Sequence, residues 1–277
     1  MHCRLVRFIG TLVAALAISL APESISAQVL VGNYPDLTGI WLADFTEYGG
    51  RFTREDPPLQ PQALAVFNRN REGLSFGDTG LDPLDPLTFC YPVGALRQML
   101  LRHFEIFQTP KEVLFIHEFD SAVRRIYLDG RAHPDGWPFG WMGHSVGHYD
   151  GDSLVVDTVG FNDKTWFDRA GNFHSDALHV VERFTPMGSL NDMMAMQYEA
   201  TIEDPQVFTR PWTIRMPLYR RLEDNAQLLE FRCQEFVEEL AFGHLRKEQL
   251  VKHWEGGTLN IDITRKIPKD PAVLYSR

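Results

Sequence analysis

The chain has 277 residues, of which 44% are hydrophobic and 23% are charged. This composition is that of a globular protein, and it excludes a collagen, a coiled coil and a wholly disordered chain. The net charge of −10 disfavours nucleic acid and anionic lipid as partners, because both repel an acidic surface. The aromatic share of 12% favours a sheet-rich core or an aromatic-lined pocket.

Residues 1–27 have the pattern of a secretory signal peptide. Arg4 and Arg7 precede an apolar stretch at residues 8–21, and small residues follow at 24–27. The alternative is a membrane anchor, but a stretch of this length is short for a bilayer, which needs about 20 apolar residues. The sequence therefore predicts an exported protein, periplasmic or secreted, with a single domain over residues 28–277 and no membrane insertion.

Three cysteines are present, and one of them, Cys3, lies in the predicted signal peptide. The remaining pair, Cys90 and Cys233, would lie in an oxidising compartment, which favours a disulfide bond. Two separate buried thiols are the alternative.

The hydrophobic period predicts few helices and many short strands. A turn at 35–41 leads into a first strand, and helical spacing covers 61–74 with proline in the first turn. The later strands are predicted at 113–119, 124–128, 154–159, 178–184, 194–202, 213–218, 228–233 and 259–263. The first two of these form a hairpin that closes near residues 120–121, and a second helix is predicted near 240–253. No alternation of strands with helices is visible, so we expect an antiparallel lipocalin-like barrel or curved sheet with one or two peripheral helices.

Residues 131–161 form the densest run of polar and aromatic side chains, and they predict a functional loop. Within this run, residues 143–147 match the G-x-S-x-G pattern of a hydrolase nucleophile, with Ser145 as the serine. That motif requires a strand, a sharp turn and a helix, and the flanking residues predict neither the strand before it nor the helix after it. A serine hydrolase is therefore an alternative rather than the leading reading.

Histidines in the same run raise the question of a metal. His133, His144 and His148 are close in sequence, and His174 and Glu182 might complete a site in space. Hydrogen bonds from these histidines to loop carbonyls are the simpler reading. We expect no cofactor, with zinc or another divalent metal as the less favoured alternative.

Strand alternation gives a more specific prediction for three titratable residues. Glu182, Asp157 and His117 each share a strand face with apolar residues, and in a barrel such a face points inward. Buried carboxylates have raised pKa values unless they are paired, which suits acid–base chemistry. A structural pairing of Glu182 with Arg183 or Arg125 is the alternative.

Five motifs resemble those of a family of exported bacterial proteins whose members mostly have no assigned function. The matching segments are DGRAHP at 129–134, GHSVGHYDGDSLVVDTVGFND at 143–163, HSDALHVVERF at 174–184, IEDP at 202–205 and TRPW at 209–212. The chain departs from the pattern at residues 148–150, where Arg, Trp and Glu are more usual. The resemblance implies export and places Cys90 and Cys233 near family cysteines, but it implies no mechanism.

Together these features predict a small-molecule-binding barrel that acts without a cofactor as a lyase or isomerase. The predicted acid–base residues are His144, Asp157, His174 and Glu182. The predicted substrate contacts are His117, Arg131, Trp141, Tyr149 and Tyr198. The alternatives are a non-catalytic protein that binds a ligand or metal in the same pocket, and a hydrolase acting through Ser145. The sequence does not fix the oligomeric state.

Overall fold

The computed structural model describes residues 30–31, 33–44, 56–72, 84–190, 193–235 and 237–238. The predicted signal peptide, the helix near 240–253 and the strand at 259–263 lie outside these residues.

The described residues form eleven strands, two named α-helices, a short 3-10 helix at Pro86–Phe89 and helical residues at 233–235 and 237–238. The helices are α1 (Pro61–Glu72) and α2 (Gly94–Leu101). The strands are β1 (Leu30–Val31), β2 (Tyr34–Pro35), β3 (Gly39–Ala43), β4 (Phe104–Gln108), β5 (Glu112–His117), β6 (Val123–Tyr127), β7 (His144–Asp150), β8 (Ser153–Val159), β9 (His179–Leu190), β10 (Met193–Glu203) and β11 (Trp212–Arg220).

Strands β3 to β11 close into a nine-stranded barrel in which chain neighbours are also sheet neighbours, and β11 pairs with both β10 and β3. The predicted barrel is thus confirmed. It is not wholly antiparallel, however, because β6 and β7 run parallel, with Ile126 opposite Ser145 and Tyr127 opposite Val146. A parallel pair needs a long connection to bring the chain back to the same end of the sheet, and residues 128–143 provide it.

The barrel interior is built by the alternation of side chains along each strand. In β5, for example, Val113, Phe115 and His117 are buried while the residues between them are partly exposed. Phe115 packs against Phe104 of β4 and Phe184 of β9, with ring centroids 5.5 and 5.2 Å apart. Aromatic rings from different strands therefore contact one another inside the barrel.

Helix α2 is a core element that was not predicted from the sequence. Residues 94–100 are all buried, and its apolar side chains join the barrel core. Gly94 begins the helix with a positive φ of 79°, and a Cβ atom at this position would lie 3.1 Å from Thr165 Oγ1, so a residue with a side chain would be strained there. Arg97 is anchored by two hydrogen bonds to Asp85, at 2.7 and 2.6 Å.

A disulfide bond joins Cys90 and Cys233, as predicted. Cys233 is fully buried and packs with Val93 and Phe119, so the bond ties the end of the described chain to the segment before α2. The predicted strand at 228–233 is wrong. Only Phe231 forms an isolated bridge there, and the chain turns helical from Cys233.

Most of the other predicted strands are confirmed with small shifts in their ends, whereas β4 and β7 were not predicted. Strand β7 lies inside the run that the sequence suggested was a loop, because Gly147 and Asp150 within it are of residue types that have low strand propensity. In the described part of the chain, no helix combines the length and apolar character needed to span a membrane.

Candidate functional site

A belt of polar side chains lies inside the barrel, where each of the neighbouring strands β5 to β10 contributes one member. We call it the polar belt, and in strand order it consists of His117, Arg124, Ser145, Thr158, Glu182 and Tyr198. Each of these residues is no more than 2% exposed. Buried polar groups are costly unless they are hydrogen-bonded, so their contacts show what each one does.

Arg124 is the centre of the polar belt. Its Nη1 donates to Glu182 Oε1 at 3.0 Å, and its Nη2 donates to Glu182 Oε2 and to Thr158 Oγ1, the latter at 2.8 Å. Its Nε donates to Ser145 Oγ at 3.1 Å. Burial by itself lowers the pKa of Arg124, but the adjacent Glu182 carboxylate outweighs this effect and the pKa is raised. The two residues therefore form a buried ion pair.

Tyr198 completes the hydrogen bonding of Glu182. Its hydroxyl donates to Glu182 Oε1 at 2.9 Å. Burial raises the pKa of Tyr198 well above its usual value, and the neighbouring carboxylate raises it further, so the phenol keeps its proton. The predictions that Glu182 pairs with Arg183 or Arg125 are wrong, because its partner is Arg124 of the same barrel interior.

His117 is the exception in the polar belt. Neither ring nitrogen has a hydrogen-bond partner among the described residues, although the residue is only 1% exposed. Its ring lies against Phe104 and Phe115, at centroid distances of 5.6 and 6.4 Å. Burial, with a smaller contribution from Arg124, lowers the pKa of His117 to about 3. A neutral imidazole therefore holds one donor and one acceptor inside the barrel, both unused.

A second group of ionisable side chains lies on the outer surface of the barrel. We call it the outer cluster, and it consists of His133, His144, Asp157, His179 and Glu203. His133 contacts His144 between their Nδ1 atoms at 2.8 Å and Asp157 Oδ1 through Nε2 at 3.1 Å. His179 Nε2 contacts the same Asp157 oxygen at 3.0 Å, and its Nδ1 lies 3.7 Å from Glu203.

The prediction that Asp157 faces the barrel interior is wrong. Val156 and Thr158 point inward, and Asp157 between them points outward, with a side chain that is 43% exposed. The sequence suggested otherwise because Val155, on the same outer face, is also apolar. Val155 is nevertheless only 9% exposed, so apolar character on β8 does not distinguish the two faces.

His144 is also on the outer side of β7, but it is covered by other rings. Trp137 and Tyr127 lie over it, with centroid distances of 4.6 and 5.5 Å. Burial lowers the pKa of His144, and His133 lowers it further. Arg131 stacks on Tyr127 at 3.8 Å and binds Asp129 through two nitrogens, so it braces this loop.

His174 belongs to neither group. It lies in the segment between β8 and β9, where its Nε2 accepts from Thr165 Oγ1 at 2.6 Å and its Nδ1 donates to the Ser175 carbonyl at 3.0 Å. Both contacts are local, and they fix the ring in one tautomer. The four predicted acid–base residues are thus found in three places: Glu182 inside the barrel, His144 and Asp157 outside it, and His174 in this segment.

The remaining predicted contacts are separate as well. Trp141 packs edge-on against Tyr91 at 5.7 Å. Tyr149 stacks on Tyr34 at 4.1 Å, and burial raises the pKa of its hydroxyl. Both rings therefore belong to aromatic pairs that are separate from the polar belt and from the outer cluster.

Ser145 lacks the surroundings of a hydrolase nucleophile. It lies within β7 rather than on a sharp turn, and its hydroxyl contacts Arg124 and Thr158, neither of which is a general base. The G-x-S-x-G match therefore has no structural support.

The residues of these two groups that the sequence did not suggest as site residues are Arg124, Thr158, His179 and Glu203. Arg124 alone carried a signal, since it alternates with Ile126 on one face of β6. Among the described residues, no group of three or more His, Cys, Asp or Glu side chains is arranged to hold a metal ion.

Comparisons of the chain with protein-family models, with curated proteins and with solved structures found no match. The contacts of the polar belt and the outer cluster are therefore the basis on which function is inferred.

Proposed function

We propose that the protein binds a partly apolar small molecule inside the barrel, and that His117 contacts the polar group of that molecule. The observation that supports this most directly is the pair of unused ring nitrogens on a buried side chain. Leaving a buried donor or acceptor unsatisfied costs about 1–3 kcal/mol. A bound molecule that hydrogen-bonds to His117 would remove this cost.

The strand number of the barrel is compatible with such a ligand. Eight strands enclose a space just wide enough to be filled by side chains or to hold one small ligand, and this barrel has nine. Phe104, Phe115 and Phe184 line the interior beside His117 and the ion pair. Apolar walls with a small number of polar groups are typical of sites that bind small organic molecules.

Binding is favoured over catalysis inside the barrel because the predicted acid–base residues do not converge there. Only Glu182 of the four is interior, and its carboxylate is held by Arg124 and Tyr198. A carboxylate in a buried ion pair is a poor general base, since taking up a proton would leave Arg124 without a counter-charge.

The binding proposal is tested with the neutral dye Nile red, whose fluorescence rises in apolar sites. The wild-type protein is expected to bind the dye saturably. His117→Phe is expected to bind the dye more weakly, because the substitution removes the ring nitrogens that would contact the polar group of a ligand. His148→Phe is the matched control, since His148 is exposed on β7. Native mass spectrometry of the purified protein should also show a co-purified small molecule. Absence of saturable binding in the wild type, with no retained molecule, would contradict the proposal.

We also propose that the protein is exported to the periplasm or secreted. The pattern of residues 1–27 and the family resemblance support this, and the Cys90–Cys233 disulfide is compatible with an oxidising compartment. Expression of the full chain in a bacterium should yield a periplasmic product that begins at residue 28, as measured by intact mass. A cytoplasmic product of full length would contradict export.

The outer cluster supports a second candidate function, acid–base catalysis of the lyase or isomerase type without a cofactor. Asp157 is reachable from solvent and contacts two imidazoles, so it would fix the orientation of His133 and His179 for proton transfer. Such a reaction begins with removal of a proton, commonly from a carbon next to a carbonyl group.

This second function is tested by proton exchange in D₂O with a panel of small ketones, followed by NMR. Exchange above background is expected for the wild type and not for Asp157→Asn. Asp150→Asn is the control, because Asp150 is an exposed carboxylate paired with Arg183. Dialysis against a chelator is expected to leave the exchange rate unchanged. Equal exchange rates for the two variants would exclude Asp157 from the reaction.

A further inference from the structure

We infer that the group bound at His117 is an uncharged hydroxyl on an apolar body, and that carboxylates and amines are excluded. This inference rests on the proposed function of the barrel interior as a binding site. It concerns which chemical class of molecule the polar belt accepts.

The first reason is that the charges of the polar belt already cancel. Arg124 and Glu182 form an ion pair with both side chains 1% exposed. The other members are a phenol, two hydroxyls and an imidazole, which are neutral. A ligand with a charge would therefore bring an uncompensated charge into the barrel, and burial of an unpaired charge is strongly unfavourable.

The second reason is that Arg124 has little hydrogen-bonding capacity left for a ligand carboxylate. Four of its five N–H groups already donate to Glu182, Ser145 and Thr158. A carboxylate could reach the guanidinium only by displacing Glu182 or by lying beside it. Displacement would break the bond from Tyr198 as well, and two adjacent carboxylates repel each other.

The third reason is the hydrogen-bonding capacity that His117 leaves open. A neutral imidazole presents one donor and one acceptor, and a hydroxyl group can act as either. A carboxylate can only accept, so it can bond only the N–H nitrogen, and an ammonium can only donate, so it can bond only the other nitrogen. The rings of Phe104 and Phe115 beside His117 provide the apolar contact for the rest of the molecule.

The test compares three molecules with the same ten-carbon chain: 1-decanol, decanoate and decylamine. Each is titrated at pH 7.5 against the wild-type protein loaded with Nile red, and displacement gives the relative affinities. The same titrations are made with His117→Phe, with His117→Gln, which retains a donor and an acceptor, and with the surface control His148→Phe.

Decanol is expected to bind about tenfold or more tightly than either charged analogue. The affinity for decanol should fall in His117→Phe and persist in His117→Gln and His148→Phe. Equal or tighter binding of decanoate or decylamine by the wild type would overturn the inference while leaving the binding function intact. An unchanged affinity for decanol in His117→Phe would also overturn it, because the hydroxyl would then be recognised elsewhere. If neither Nile red nor any of the three molecules binds, the proposed function fails, and the inference fails with it.

Discussion

Replacing Glu182 by glutamine tests whether Arg124 needs a counter-charge inside the barrel. The amide has nearly the same shape as the carboxylate and can still accept from Tyr198, but it is neutral and turns an N–H group towards the guanidinium. Both side chains of the pair are 1% exposed. Removing one partner of a buried ion pair costs about 3–5 kcal/mol, because the remaining charge is left uncompensated.

Urea unfolding followed by far-UV circular dichroism measures this loss as a change in the free energy of unfolding. For a chain of this size, the same loss corresponds to a decrease in Tm of about 6–20 °C. The matched control is Glu199→Gln, whose partner Arg215 is 62% exposed. Exposed ion pairs contribute about 0–1 kcal/mol, so the control should be close to the wild type.

A third variant separates the charge effect from a packing effect. Adding Arg124→Met to Glu182→Gln removes the stranded charge, so the double variant is expected to be more stable than Glu182→Gln alone. The reasoning would be refuted if Glu182→Gln lost no more free energy than Glu199→Gln, or if the added Arg124→Met substitution caused a full, additive loss.

Three other outcomes are expected. Because the pKa of His117 is about 3 in the folded protein and near 6.5 when unfolded, its contribution to stability is complete above pH 6.5 and is lost as the pH falls towards 3. At pH 5 the loss is about 2 kcal/mol. The free energy of unfolding of His117→Phe, measured with urea, should therefore change less between pH 5 and 8 than that of the wild type. The same pH dependence in both proteins would contradict this. Replacing Cys90 and Cys233 by alanine opens a loop of 143 residues. On the chain-entropy model, the free energy of unfolding should fall by on the order of 5 kcal/mol. An unchanged urea midpoint would contradict the presence of the bond. Elemental analysis of the purified protein should find no stoichiometric metal, and a tightly held zinc ion would overturn the proposal that no cofactor is present.

The strands were the most predictable part of the fold, because hydrophobic residues alternate along the sequence wherever one face of a strand is buried and the other is exposed to solvent. Strands β9, β10 and β11 were predicted within a few residues at their N-terminal ends for this reason. Helix α2 was not predicted, although Leu96, Met99 and Leu100 have helical spacing, because the segment has only eight residues and follows a long irregular stretch. The burial of Arg97 and Gln98 within it depends on tertiary packing, which no local pattern shows.

The site was predictable only in part, and the reason differs from residue to residue. Glu182 and His117 were placed correctly inside the barrel, because their strand neighbours on the opposite face are polar or partly exposed. Asp157 was misplaced because β8 is apolar on both faces, which removes the contrast that the prediction needs. Arg124 was overlooked because an arginine next to Arg125 looks like part of a solvated surface. Its burial follows from long-range pairing with Glu182, which no local pattern encodes.

The parallel junction between β6 and β7 has a consequence for how the interior is reached. It holds two registered residue pairs, fewer than any other junction of the described barrel. Parallel hydrogen bonds are also slightly less stable than antiparallel ones. We therefore expect thermal fluctuations to separate β6 from β7 more readily than other neighbouring strands. The side chains of Arg124 and Ser145 lie on the inner side of this junction. An incoming molecule would therefore pass the Arg124 guanidinium and the Ser145 hydroxyl before it reached His117 and the aromatic rings.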